Sequence, residues 1–476
     1  MRLFYAITLF FLLHTYGSSA QQSDAWSLER CIQYAVDHNI SIKQDSLNAR
    51  LARYTLLQSQ LSQLPTFTAN SNYGRSFGRS INPTTNQFVD AGYNFLSASG
   101  NGNLLVFGWK QVRNTIARNR LSMAASLADL DQLKDDVSLN VATGFLTAVL
   151  AREQINISKS QVALSKAQLD QTRAFAEAGR LPELSVAQLE AQLATDSATL
   201  INAISNYTAS LLDLKALLNL DFSVPFDLEV PEVIDKEDLE VAAQTPEEVF
   251  QVARSHFGAI QASELRVRSA EKNVAAAKGA LYPQLTAGYQ VGTNFASNYQ
   301  TVASYSQNGY KPVGFTDTLT FTPVYQPNVT PVFSDVPFTN QLANNMRQSV
   351  YVGVNIPILN GWQSQYAVRQ ARINLATQQL NEYSAELTLK QNVYKAHNNA
   401  VNAIQKYSAA RRADESAKRA LDFARKRYDL GLTSTVDLLV TQNNEFTAAS
   451  NRAIAKYDLI FKLKVIDYYL GKQLKL

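Results

Sequence analysis

The chain has 476 residues, of which 46% are hydrophobic and 18% charged, and a formal net charge of +4. So small a charge does not describe a nucleic-acid surface. A single cysteine, Cys31, excludes an internal disulfide framework.

Residues 1–20 read as a secretory signal peptide. Arg2 precedes an apolar run from Leu3 to Leu13, and Gly17-Ser18-Ser19-Ala20 stands ahead of Gln21, with cleavage expected after Ala20. The run is too short for a retained anchor, and no later stretch supplies the ~18 uninterrupted apolar residues of a spanning helix. Entry into a membrane would therefore require a closed barrel, in which every backbone group is paired. Gln21 stands where an amino-terminal lipid would need a cysteine.

The rest of the chain is a duplication, with a first repeat over 21–244 and a second over 245–476. Glu29, Ala35, His38 and Pro65 return as Glu247, Ala253, His256 and Pro283, a displacement of 218. Gly108-Trp109 returns as Gly361-Trp362, and Gly179 as Gly431. A repeated unit of this kind rarely completes a core alone. Cys31 lies in a helical pattern with Val249 at the equivalent place, and is expected to be a buried apolar side chain.

In the first repeat a helix ends ahead of Pro65, because the residue before proline avoids helical angles. Phe67, Ala69, Tyr73 and Phe77 then alternate as a strand, and a less regular strand runs from Tyr93 to Phe107. From Trp109 to Ala178 there is no proline and only Gly144, which predicts a helix of about 105 Å at ~1.5 Å per residue. Ile155, Val162, Leu169 and Ala176 recur every seven residues on it. After Gly179, Val186, Leu193, Leu200, Tyr207 and Leu214 do the same, with Leu189, Ile204, Leu211 and Leu218 in a companion seam, the signature of coiled-coil packing. An acidic linker over 220–244, with Pro225 and Pro231, joins the repeats.

The second repeat follows the same plan. Leu285, Ala287, Tyr289, Val291 and Phe295 alternate as one strand, and Val350, Val352, Val354, Ile356 and Ile358 as another. Asn298 to Arg347 is expected to be a long exposed loop. Trp362 to Leu430 contains neither proline nor glycine and predicts a second very long helix, with Leu380, Tyr383, Leu387, Tyr394, Val401 and Ile404 as its seam. The helix-tip turn Gly179-Arg180-Leu181-Pro182-Glu183-Leu184 reads as two residues longer than its partner when Gln192 is set against Gln442, which places Asp437 opposite Ala187. A short tail follows from Lys472.

Four strands per chain leave two unpaired edges and cannot close a barrel alone. Three chains would supply twelve. The predicted fold is an α+β membrane protein, a long α-helical coiled-coil barrel plus a transmembrane β-barrel of four strands per chain and twelve in a homotrimer. An isolated helical bundle is the alternative. Trp109 and Trp362, where strand gives way to helix, suit the aromatic belt at a membrane interface, and equally suit ordinary packing.

No catalytic constellation appears. His38, His256 and His397 each stand alone on a helix, without metal-ligand spacing, and there is no phosphate-cradling loop or nucleophile elbow. The expectation is a protein without enzymatic activity, metal or cofactor. The repeat-equivalent His38 and His256 point to a shared packing or hydrogen-bonding role.

The duplicated helix-strand-strand-helix unit, the two Gly-Trp strand exits and Tyr428-Asp429-Leu430-Gly431-Leu432-Thr433, followed by Val436-Asp437-Leu438-Leu439 and Gln442, resemble the TolC family of outer-membrane efflux channels over essentially the whole mature chain. The resemblance implies a homotrimeric duct from periplasm through outer membrane, an equatorial belt formed by the linker and carboxyl end, and contact with outer-membrane lipid but not nucleic acid. It implies as partners a periplasmic adaptor and an inner-membrane pump. Tyr428 and Asp437 match the family's gating tyrosine and first gating aspartate, while Thr433 and Val440 stand where some members carry a gating arginine and a second aspartate. Three copies of Asp437 in a narrow lumen would form a cation-attracting ring; a plain helix amino-terminal charge is the alternative. Arg425, Lys426 and Arg427, just before Tyr428, could supply replacement positive charge, though on a helix at most one or two of them face any one partner. The tip turns, with Gly179, Arg180, Leu181, Gly431 and Leu432, are the expected docking points for adaptor or pump. Export of small molecules leads over a type I polypeptide secretion duct and a trimeric envelope stalk without transport.

Overall fold

A computed structural model describes residues 25–82, 84–229, 244–472 and 474. The expected signal peptide and most of the acidic linker lie outside them. The chain divides into two compact units. The helical unit holds the chain up to Tyr54, Arg120–Arg268 and Ala376 onward; the strand unit holds Thr55–Asn119 and Ser269–Leu375.

The duplication is literal in the helices. α1 (Leu28–His38) and α2 (Ile40–Leu61) recur as α5 (Pro246–His256) and α6 (Gly258–Gly279), displaced by 218 at all four boundaries. Caps set the starts. The Ser27 hydroxyl accepts from the Arg30 amide, and Thr245 forms a capping box with Glu248 ahead of Pro246. Both repeat-equivalent histidines share one geometry: Nδ1 of His38 lies 3.0 Å from the Tyr34 carbonyl and Nδ1 of His256 2.8 Å from that of Val252.

The long helices α3 (Gln111–Glu177) and α8 (Gln363–Asp429) have 67 residues each, about 100 Å of rod. They are followed by α4 (Glu183–Leu218) and α9 (Thr435–Tyr469). The displacement between repeats is 252 both from Glu177 to Asp429 and from Glu183 to Thr435. The two tip turns are therefore equal in length, and the expected two-residue difference is absent. Gln192 and Gln442 share residue type without being equivalent, and Asp437 stands opposite Ser185 rather than Ala187.

The main core of the helical unit gathers Trp26, Leu28, Cys31, Ala35, Val141, Phe145, Leu146, Leu214, Leu218, Leu228 and Tyr457. Cys31 is fully buried as expected, and burial pushes its thiol up to about 12. β1 (Ala25–Trp26) pairs in parallel with β6 (Asp227–Leu228) beside it. A second core assembles Val249, Phe250, Ala253, Ile260, Leu389, Val393, Ala400 and Ile466. The α8 stripe read from sequence matches the buried one only in part: Leu380, Tyr383, Leu387 and Tyr394 are exposed, Val401 and Ile404 are half-buried with Ile404 packed beside Leu459 and Leu463, and Leu389, Val393, Ala396, Ala400 and Ala403 are buried. The helix carries two apolar faces, and one chain covers only one of them.

In the strand unit β2 (Thr66–Ser76), β5 (Tyr93–Phe107), β7 (Gln284–Ala296) and β10 (Arg347–Asn355) form one antiparallel sheet in the order β10-β7-β5-β2. These are the four strands expected, with edges at β2 and β10. Phe77 falls past the end of β2. Ile356 and Ile358 fall past β10, where Pro357 cannot donate to a ladder. The stretch expected to be a loop is built instead: β8 (Gln300–Phe315) and β9 (Pro323–Asp335) pair as a hairpin, followed by α7 (Phe338–Asn344). Bulges in β8 between Val302 and Ser304, Gln307 and Tyr310, and Pro312 and Gly314 break its alternation, which hid the strand in sequence. A minor hairpin joins β3 (Arg79–Ile81) to β4 (Phe88–Asp90).

Trp109 and Trp362 stand at the starts of α3 and α8 with φ of 48° and 68°, a left-handed conformation uncommon for a bulky residue. Each repeat enters its long helix through two consecutive left-handed residues, Trp109-Lys110 and Gly361-Trp362, so at the helix displacement of 252 Trp362 stands opposite Lys110 and the two tryptophans hold successive rather than equivalent positions. Trp109 packs on Tyr282 at 4.9 Å between ring centroids, and the Arg369 guanidinium covers Trp362. No helix among the described residues is long and apolar enough to cross a membrane.

Phe145 is among the largest fully buried side chains. Phe145→Ala is expected to destabilise the helical unit by about 3–5 kcal/mol, read as a lowered denaturant midpoint of the detergent-solubilised protein.

Candidate functional site: the helix tips

Each long helix hairpin turns on a glycine. The Gly179 amide donates to the Ala176 carbonyl and the Arg180 amide to that of Phe175; Gly431 and Leu432 repeat this with Tyr428 and Arg427. The glycines have φ of 71° and 72°, the left-handed conformation with which such helix ends close. Arg180 is exposed, with its guanidinium 4.3 Å from the Phe175 ring centroid. Leu430 and Leu432 are exposed, whereas Leu181 is half-buried in the tip cluster.

Tyr428 is buried within one chain, among Leu421, Ala424, Leu438, Leu164 and Leu181. Its hydroxyl lies 2.9 Å from Thr172 Oγ1 on α3 and 3.4 Å from Thr435 Oγ1 on α9. One residue along, Gln171 Nε2 donates to Asp429 Oδ1 at 2.9 Å. Consecutive residues of α3 thus bind consecutive residues at the end of α8, tying the first repeat's tip to the second's.

Asp437 is exposed in the first turn of α9. Its amide donates to Ser434 Oγ at 3.1 Å, and that hydroxyl donates back to Asp437 Oδ2 at 2.7 Å. The Ser434 side chain first and its backbone second hold the carboxyl below the usual range, with lesser help from Thr433 and Arg427. The helix-end role foreseen for Asp437 is therefore present, and leaves the carboxylate facing solvent. Val440 is also exposed and Thr433 half-buried.

The three neighbouring cations have separate fates. Lys426 pairs with Asp422 at 2.7 Å. Arg425 is half-buried beside Glu445, whose carboxyl burial pushes up against the pull of Lys418 and Arg425. Arg427 donates to the Leu432 carbonyl at 3.3 Å across the turn, and it alone of the three acts on Asp437.

Sequence reading missed a polar stripe. Ser158, Gln161, Ser165, Gln168 and Thr172 keep three and four spacing on α3 and are all buried. On α4, Asp196 holds the buried heptad position between Leu189 and Ala203. It accepts from Ser165 Oγ, from Gln161 Nε2 at 3.3 Å and from Gln192 Nε2 at 2.9 Å. From α9, Gln442 Nε2 donates to Ser165 Oγ at 2.8 Å. A polar residue repeating at heptad spacing was the available signal; apolar periodicity alone passes over it.

Paired helices closing on glycine tips, carried in one chain with an antiparallel sheet open at both edges, are the construction of helix-and-barrel membrane channels. The chain belongs to the outer membrane efflux protein family, whose model matches residues 31–220 and 249–471, one block in each repeat. It is therefore an outer-membrane protein of a family of channels rather than enzymes. It is 23% identical over 362 residues to the outer membrane efflux protein BepC of Brucella suis, covering 75% of this chain and 68% of that one. It is 21% identical over 336 residues to the outer membrane protein TolC of Vibrio cholerae, covering 70% and 67%. A crystal structure of CusC superposes with a TM-score of 0.74 at 15% identity, covering 94% of this chain and 92% of that one.

Tyr428→Phe and Thr172→Val should each weaken the tip contact by about 1 kcal/mol, and the double variant should lose little more than either alone. Faster amide hydrogen exchange over 427–435 measures both effects.

Proposed function

We propose that three copies close their four-stranded sheets into one twelve-stranded barrel across the outer membrane, while their helices enclose a periplasmic duct. Small molecules enter that duct from an inner-membrane pump through a periplasmic adaptor. The observation that carries the assembly is the open sheet: among the described residues β2 and β10 have no outer neighbour, and unpaired strand edges are not tolerated in lipid. Leu380 and Tyr383, 69% and 61% exposed, supply the matching feature in the helices, apolar surface that one chain leaves uncovered.

In this reading the tips form the periplasmic gate. Tyr428 and Thr172 hold inner and outer helix pairs together, and three Asp437 carboxylates ring the passage with Val440 narrowing it. Arg427 tempers the ring's charge where other members place a gating arginine and this chain has Thr433. Gly179, Arg180, Gly431 and Leu432 meet the adaptor or pump, with Leu181 supporting the turn from beneath. Trp109 and Trp362 mark the membrane interface.

Planar-bilayer recording of the purified trimer tests this. The wild type should pass small cation-selective currents, and Asp437→Ala should reduce the selectivity. A monomer without conductance would overturn the channel reading. Deletion of the gene should sensitise cells to small toxic compounds if these are the cargo.

A further inference from the structure

The β8–β9 hairpin is two surfaces in one ribbon. β9 alternates without interruption, so Pro323, Tyr325, Pro327, Val329, Pro331 and Phe333 share one face, and Val324, Gln326, Asn328, Thr330, Val332 and Ser334 the other. The register completes the first face with aromatic rings set against prolines: Phe315 opposite Pro323, Pro312 opposite Tyr325, Tyr310 opposite Pro327, and Tyr305 opposite Pro331. Val302 lies opposite Phe333. From Val302 to Phe333 this face carries no charge, and its rings are open to solvent, with Tyr305 at 69% and Tyr310 at 65%.

The ribbon is stiff and firmly mounted. Gln341 of α7 is buried, accepts from the Ala296 amide at 3.0 Å and donates to the carbonyls of Ala296 and Val336 at 3.1 and 2.9 Å. In this way it replaces a strand neighbour at the end of β7. Thr84 exchanges two 2.8 Å hydrogen bonds with the Gln300 backbone at the hairpin root. Three prolines fix φ along β9. Residues of one pleat face also turn their amides to one edge, and prolines tolerated in a ladder are those whose missing N–H points outward. The outer edge of β9 thus lacks a donor at every second outward position and is closed to strand addition.

We infer that this face is covered by the same hairpin from the other copies, the three ribbons packing aromatic-proline face to face into a cap at the end of the barrel. The inference rests on the trimeric reading above. The argument for a second copy is continuity. The hairpin bridges the ends of β7 and β10 that do not lead to α6 and α8, and β10 is the edge strand a neighbouring copy must extend. Closing the barrel therefore brings three such faces to one rim, where the barrel has already met the entropy of association and effective concentration is high. Rigid aromatic surface with little side-chain freedom to lose is what protein interfaces are enriched in.

The test uses the full-length protein in outer-membrane vesicles on a Cys31→Ala background, with Val329→Cys at the centre of the face and Thr330→Cys on the opposite one. A short bifunctional maleimide should convert the Val329→Cys protein to covalent dimers and trimers at least tenfold more efficiently than the Thr330→Cys protein. Native mass is measured in parallel. A trimer whose Val329→Cys position reacts freely with a water-soluble maleimide but does not cross-link would overturn the cap and leave the trimer standing. Cross-linking to a different protein, or quenching of a label at this position by lipid-phase nitroxides, overturns it in favour of another occupant. A monomer overturns the assembly and the cap together.

Discussion

The constraint from which this molecule follows is that a backbone N–H or C=O in lipid must have a partner. Four antiparallel strands satisfy the inner ladders of the sheet and leave β2 and β10 exposed along their outer edges. Duplication reaches this point economically, since two copies of one helix-strand-strand-helix unit yield two strand pairs whose registers mesh at β5 and β7. The proposed trimer completes what the sheet leaves open, and the left-handed pairs Trp109-Lys110 and Gly361-Trp362 show how alike the two repeats remain where strand becomes helix.

The long helices meet a different constraint. α3 buries an apolar seam, with Ile155 and Leu169 among its members, and beside it the polar stripe from Ser158 to Thr172. An apolar seam is held by removal from water and resists separation. A polar one contributes little net stability once its hydrogen bonds are traded against water. Gln442 reaches Ser165 with its amide nitrogen while its Oε1 has no partner, and neither amide atom of Gln168 has one. Parting such a surface exposes groups that water satisfies at once. The stripe joins three helices, with Gln161 and Ser165 bound to Asp196 of α4 and Gln442 of α9 bound to Ser165, while nearer the tip Tyr428, Leu421 and Leu438 pack with Leu164 and Leu181 in an apolar cluster.

Much of this was legible beforehand. Both long helices, three strands of the main sheet and the burial of Cys31 followed from local rules of period, proline and glycine, while the strand from Tyr93 to Phe107 and the pairing of the histidines followed from the repeat. The β8–β9 hairpin escaped because three bulges shift the alternation of β8. The tip-turn register failed because Gln192 and Gln442 are alike in type but not in place. The α8 seam read from sequence is one of two apolar stripes on the helix, and periodicity does not say which one a single chain covers. Tyr428 and Asp437 stand out only through the family resemblance, and their partners Thr172 and Ser434 are not legible at all, since a hydroxyl's partner is a matter of distance across helices or of cap geometry.

By itself the sequence determined the long helices, the four strands of the main sheet and their twofold repetition, because helix and strand periods, proline's locked φ and glycine's left-handed turns act within a few residues. Only the tertiary structure decided which polar residues meet in the α3 seam, that Arg427 rather than Arg425 or Lys426 acts on Asp437, and that residues 300–335 form a ribbon with one aromatic face. Those depend on contacts between segments far apart in the chain, and local periodicity carries no information about which distant surface a side chain will meet.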